Sequence, residues 1–415
     1  MATPQSIVHG TWSRPVLAVA ALSLFGLGLA QIWELPLVAA RHGGVLFFGA
    51  YLLCLLGLAL PLRLLELMLG RRARRSPIEG MAFLTREADA RRGWRAAAWA
   101  SGLADVLVLA GLALMAGWAG SFLGHRWMSD AAQTATQAGL VWPLGTGSAF
   151  ILAAGLALLN PGRREVANAL VLAVVVLCLG VAALAGAGAT AQAYGGAAAL
   201  DANAWREAMR MALLSSGGGL GVVWLSGMKL PREVSLGRLA LVLVLVQAVL
   251  AGLVALALAP HVPAALEAAG TSAVLERLPQ VMGGGMAPML VFVALGLAAV
   301  FALSFAAEPL LAWLTERQVS RLPAVTLVFV AGAALAEGLW FAAQTEGVLF
   351  LLQGVRDLLL LVLLGLSLFA GWAMKISHAR KEIALPVEGL YNLWRVAVRL
   401  AVPLAIVFVF AGYLV

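Results

Sequence analysis

Charge is what this sequence is short of: 12% of its 415 residues are Asp, Glu, Lys or Arg, while 62% are hydrophobic. A soluble domain needs roughly a quarter of its residues charged, so this composition excludes one and calls for an integral membrane protein. Cysteine is nearly missing. Cys54 and Cys178 both lie in apolar runs and read as small core residues rather than a disulfide. The five histidines are scattered. No metal-ligand cluster, Ser–His–Asp-like spacing or phosphate loop stands outside the apolar segments, so neither an enzyme nor an organic cofactor is expected. The run "GGGLG" lacks the strand–loop–helix setting of a nucleotide site. No cleavable leader is expected, because residues 1–13 are short, polar and lead straight into the first apolar segment.

What is present is apolar length. A spanning helix takes roughly 17–25 mostly apolar residues. About eleven such segments follow one another, near 15–40, 43–70, 96–123, 143–160, 166–188, 205–228, 236–259, 286–314, 322–343, 347–374 and 391–414. Alternate connections carry nearly all the basic residues: "RRARR" at 71–75, Arg163 and Arg164, Lys229 and Arg232, Arg317 and Arg321, Lys375 and Arg380. The positive-inside rule then places the N-terminus in the cytoplasm and the C-terminus outside, in a cell (inner) membrane. A nucleic-acid patch would not alternate with the spans, so the net charge of +8 belongs to orientation. The longest outer connection, 260–285, reads as a short surface helix broken at Pro279 and the glycines 283–285.

Two glycine interruptions stand out, Gly26 and Gly28 in the first segment and "SSGGGLG" at 215–221 in the sixth. Gly-rich breaks at corresponding places five spans apart point to an inverted-repeat transporter with its site at the breaks. Unpaired backbone at that depth is tolerated only where it lines a cavity or binds something. The plainer reading is close helix packing through small residues. The chain is therefore expected to be one transmembrane domain over 1–415, with repeats at 15–188 and 205–374 and an additional helix at 391–414.

The local sequence resembles the neurotransmitter:sodium symporter family. In "GLGLAQIWELPLVAARHGG" and the segment after it, Gly28, Leu29, Trp33, Pro36, Gly43, Gly44, Pro61, Glu66 and Gly70 match that family's first two helices. "LPQVMGGG" (278–285) resembles its fourth outer loop and "AAEPLLAWLTER" (306–317) its eighth helix. Tyr391, Arg395 and Pro403 resemble its eleventh helix, and the twelfth is absent.

The resemblance implies an all-α, LeuT-like 5+5 inverted repeat with helices 1 and 6 broken. It implies an amino-acid-like substrate whose carboxylate meets the N–H groups of Leu29 and Ala30, close to Gly28, and whose amine meets the carbonyls of Gly26 and Leu214 beside Ser215. It also implies a sodium ion held by Gly26, Gln31 and Ser215. The second sodium site of the family is expected to be absent, since Phe301 and Ala302 stand where it needs hydroxyls, leaving carbonyls near Leu24, Leu27 and Ala298. A pocket of Ala113, Gly217, Ala302 and Ala306 would be roomy and apolar. The outer gate would pair Glu34 with Arg356, reversing the family's charges, and the inner gate would pair His9 with Glu316. Arg63 and Glu66 read as a structural pair at the inner end of helix 2, Glu308 as a proton site or a structural acid, and Trp33 and Trp224 as the tryptophans nearest the site.

The function implied is secondary active transport of an amino acid or related amine, coupled to sodium through a single site. A proton-coupled or uncoupled exchanger is the alternative, and a sensor or assembly partner that kept the fold but lost transport is another.

Overall fold

A computed structural model describes residues 12, 14–27, 34–127, 141–195, 200–263 and 285–413. Among these residues there is no strand. Eight helices are long and apolar enough to cross a membrane, and two shorter apolar ones, Pro15–Gly26 and Trp142–Leu158, accompany them. Large apolar side chains stand exposed along them; Leu184 is 82% exposed and Phe350 79%. Such a surface is insoluble in water and suits lipid, so the chain is a multi-pass membrane protein.

The break expected in the first apolar segment falls partly outside the described residues. Helix α1, Pro15–Gly26, and helix α2, Leu35–Arg41, flank residues 28–33, which lie outside the described residues. The next helix, α3, runs Val45–Ala73. Its middle is a π-turn, Leu55–Ala59, just ahead of Pro61, which cannot supply the N–H that a regular α-turn needs. Helix α4, Pro77–Glu87, lies between α3 and the long α5, Ala96–Trp127. Helices α6, Val141–Leu158, and α7, Pro161–Gly186, complete the first half.

The sixth apolar segment is broken as its glycines predict. Helix α8, Ala202–Ser215, starts on Asp201, whose carboxylate accepts from the Ala204 N–H at 2.6 Å. Helix α9, Val222–Lys229, follows after a turn in which Gly217, Gly219 and Gly221 all have positive φ. That region is strained for any residue with a Cβ, which is why the break is written in glycine.

Helices α10, Leu236–Leu258, α11, Met286–Ala306, and α12, Glu308–Glu316, come next. The connection 264–284, with its expected surface helix, lies outside the described residues. Spans expected at 322–343 and 347–374 are joined in one helical run, α13, Arg321–Leu368. That run is not a straight rod. A Cβ on Gly347 would sit 3.0 Å from the Leu339 carbonyl oxygen, although eight residues of straight helix rise about 12 Å. The chain therefore doubles back between them, and two spans result after all. Helix α14, Ile376–Ile383, and α15, Glu388–Ala411, close the chain.

Helix α5 packs against α6, α11 and α13, while α1 packs on α7, α10 and α11. The basic connections meet on one face: Arg71 donates to the carbonyls of Pro231 and Val234, Arg74 to that of Met228, Arg72 pairs with Glu382, and Arg317 with Glu79.

Candidate functional site at the helix breaks

At the α8–α9 break the helix releases the carbonyls of its last turn, and buried polar side chains collect around them. Tyr51 of α3 donates to Ser215 Oγ at 3.0 Å. Ser216 Oγ donates to the Leu213 carbonyl and accepts from the Gly218 N–H. Glu66 accepts from the Gly219 N–H. Arg63, 3% exposed, donates from Nε to the Ser216 carbonyl and from Nη2 to the Ser215 carbonyl, both at 2.9 Å. The same Nη2 reaches Gln247 Oε1 of α10 at 3.3 Å.

This corrects the expectation for Arg63 and Glu66. They are not a mutual pair at the inner end of α3; each instead reaches across to the break, because freed backbone groups in the membrane must find partners and these two chains have the length to supply them.

The end of α1 faces the α8–α9 break. A Cβ on Gly26 would fall 2.5 Å from Gln247 Oε1, so glycine there admits the amide. Gly217, in turn, lies against the Phe25 ring, 3.3 Å from where its Cβ would be. Gly26, Leu214, Ser215 and Gly217 are thus gathered in one place. Gly28, Leu29, Ala30 and Gln31 lie outside the described residues. Ala113, Ala302 and Ala306 are fully buried on α5 and α11, helices that pack together.

Neither Phe301 nor Ala302 offers a side-chain oxygen. The nearby Ser304 hydroxyl donates to the Phe301 carbonyl at 2.9 Å and accepts from Arg164 at 3.4 Å. Trp224 is not at the site: its indole donates to the Arg75 carbonyl and it packs on Gly80, at the base of α3. Trp33 lies outside the described residues.

Above the breaks, Glu34 and Arg356 meet at 3.0 Å, the charge-reversed pair expected from the sequence. Sequence reasoning missed the third member, Arg210 of α8, which binds the same Glu34 oxygen at 2.8 Å and Glu207 at 2.6 Å. The signal was there in the i, i+3 spacing of Glu207 and Arg210. Asp357 accepts instead from Tyr413 at 3.0 Å.

Below the breaks, Glu308 is gripped by Arg164 and Arg321, with Lys229 at 3.9 Å. A carboxylate held by that many cations is a structural ion cluster, and a proton-carrying role is not what its partners suggest. Beside it opens a cavity of about 490 Å³, lined by Trp12, Asn168, Lys229 and others. Glu316 accepts from the Ser76 N–H and hydroxyl at the start of α4. His9 lies outside the described residues, though Trp12 is tied in by its N–H to the Lys229 carbonyl at 3.2 Å.

No protein-family model matches the chain. Segments of it are similar to sodium-dependent transporters: 32% identity over 107 residues with the uncharacterized sodium-dependent transporter YhdH of Bacillus subtilis, covering 26% of this chain and 23% of that protein. Over 67 residues it is 34% identical to the sodium-dependent neutral amino acid transporter B(0)AT2 of Rattus norvegicus and to SLC6A17 of Homo sapiens, covering 16% of this chain and 9% of each. The chain thus matches about a quarter or less of the length of these curated relatives. The crystal structure of MhsT in complex with L-phenylalanine superposes with a TM-score of 0.77 at 20% identity, covering 97% of this chain and 99% of that one. The fold is the LeuT fold. Parts of the chain are thus similar to sodium-dependent transporters, and nearly all of it shares its fold with MhsT.

Proposed function

We propose that the chain is a secondary transporter that carries an amino acid or a related amine by alternating access, as one transmembrane domain in a cell (inner) membrane with its N-terminus in the cytoplasm. The observation that carries this reading is the break between α8 and α9 set against the end of α1, with Gly26 on Gln247 and Gly217 on Phe25. Such breaks supply what a zwitterion needs: N–H groups at a half-helix start for its carboxylate, carbonyls for its amine. The amino-acid transporters among the relatives, and the phenylalanine in MhsT, favour the same class of solute. The repeats are read at 15–188 and 205–374, with 391–414 as the added helix, and Leu29, Ala30, Gly26 and Leu214 as the backbone contacts.

The ion is separable from the solute. Sodium at Gly26, Gln31 and Ser215 has the sodium-dependent relatives in its favour. A second reading, transport without sodium at that set, has a specific observation in its favour: a guanidinium is already bonded to the Ser215 carbonyl.

Counterflow in proteoliposomes tests the solute. Vesicles preloaded with an unlabelled L-amino acid, phenylalanine first, are expected to take up the labelled one saturably. No uptake across a panel of amino acids, amines and betaines would sink the transport reading in favour of a sensor or assembly partner.

A further inference from the structure

We infer that Arg63 is a tethered cation: its guanidinium takes the place of a sodium ion among the oxygens at the break, so substrate binding does not require sodium there. The inference rests on the transporter reading and concerns its ion.

A hard cation such as sodium is held by carbonyl, amide and hydroxyl oxygens rather than by nitrogen or sulfur donors. The oxygens available at this place are the Ser215 carbonyl, the Ser215 hydroxyl, the Gln247 amide oxygen packed on Gly26, and the Ser216 carbonyl next to them. Arg63 Nη2 bonds two of these, Ser215 O at 2.9 Å and Gln247 Oε1 at 3.3 Å, and Nε bonds the Ser216 carbonyl at 2.9 Å. Tyr51 donates to the Ser215 hydroxyl, turning that oxygen's donor side elsewhere. One unit of positive charge on a side chain, directed at acceptor oxygens, supplies what the ion would supply to them: it offsets the concentration of carbonyl dipoles. Arginine is suited to this because it stays charged when buried and its planar fork reaches several acceptors at once. A buried arginine in a membrane is costly unless its partners are good, which argues that this one is placed by them rather than in spite of them. Glu66 lies close enough to Arg63 to interact with its charge, but its hydrogen bond goes to the Gly219 N–H and no ion-pair contact joins the two among the described residues.

Two cations on the same oxygens would repel at short range, so the guanidinium and a sodium ion exclude one another there. Removing the guanidinium takes one cationic donor away from the Ser215, Ser216 and Gln247 oxygens and opens the space it fills to a small cation.

The test is the thermal stability of the full-length, detergent-purified chain in sodium chloride against choline chloride at equal ionic strength, without amino acid. The readout therefore stands even if no solute is ever found. Wild type is expected to be indifferent to the exchange. Arg63→Ala is expected to gain a sodium-specific rise in Tm, and adding Gln247→Leu to that variant is expected to abolish the gain. Arg63→Gln, neutral and longer than Ala, repeats the test if Arg63→Ala does not fold, and Arg63→Lys is expected to remain sodium-indifferent. Folded Arg63 variants that ignore sodium would reduce Arg63 to a structural clamp and overturn the inference. A sodium-specific rise in wild type that Gln247→Leu alone removes would overturn it equally. Amino-acid binding found by counterflow, but strictly sodium-dependent through Gln247, would leave the transporter standing and remove only the tethered cation.

Discussion

Glu34 is a buried carboxylate held by two arginines. One of its oxygens accepts from Arg210 at 2.8 Å and from Arg356 at 3.0 Å, and the residue is 6% exposed. Arg210 keeps Glu207 if Glu34 is removed, whereas Arg356 loses the carboxylate it shares. Breaking a buried pair by deleting one partner costs about 3–5 kcal/mol, so Glu34→Ala is expected to lower stability in that range. Chemical denaturation in detergent or a Tm series would check it; a change below about 1 kcal/mol would mean that water already screens the cluster, as it does for exposed pairs. The Glu34–Arg356 contact was legible in the sequence because both residues are charges in apolar runs and each had to find a partner. Arg63, Gln247 and Arg210 were visible as anomalies of the same kind, but their targets were not. Arg63 reaches residues 152 and 153 positions away, and no periodicity or spacing encodes a pairing at that distance.

At the scale of elements, the glycines divide into two kinds. Those at 217, 219 and 221 are required by backbone conformation, as the notion of a broken sixth helix demands. Gly70 and Gly227 are required by contact. A Cβ on Gly70 would lie 1.9 Å from the Trp224 carbonyl oxygen, and one on Gly227 would lie 2.2 Å from that of Leu67. Helices α3 and α9 thus cross backbone to backbone, each through the other's glycine. Gly70→Ala is expected to force the helices apart and cost about 1–3 kcal/mol, by analogy with overpacked cores. Gly57, which has nothing within 4 Å of its would-be Cβ, is the matched control, with Gly57→Ala neutral or slightly stabilising. Equal Tm values for the two variants would contradict the close crossing. The sequence showed where helices lie and where the sixth segment breaks. The spans expected at 322–343 and 347–374 also place a reversal where α13 turns back between Leu339 and Gly347, and there Trp340 packs tilted on Trp142.

Over the whole molecule, two ion clusters bracket the breaks. Glu34, Arg210 and Arg356 join the α1–α2 region to α8 and α13 on one side; Glu308, Arg164, Arg321 and Lys229 join α12 to α7, α13 and α9 on the other. In an alternating-access cycle these sets of bonds open in turn, and weakening one shifts the population toward opening on its side. With Cys54 and Cys178, both buried, replaced by Ala, a Leu214→Cys reporter at the break is expected to react faster with a membrane-impermeant thiol reagent from the outer face when Glu34→Gln is added. Slower or unchanged labelling would mean that the outer cluster is scaffolding and not a gate.

The bonds that Arg63 makes also have an electrical meaning. A positive charge fixed to α3 never crosses the bilayer, so a zwitterion moving past it transfers no net charge through that site. Each elementary charge that does cross is worth about 2.3 kcal/mol per 100 mV, and this chain would forgo that source of work at the break. Its flux in potassium-loaded, valinomycin-treated liposomes should then be the same at zero and at negative membrane potential, the behaviour of a carrier that equilibrates or exchanges its solute. A flux that rises with inside-negative potential would show that a mobile cation still travels with the substrate.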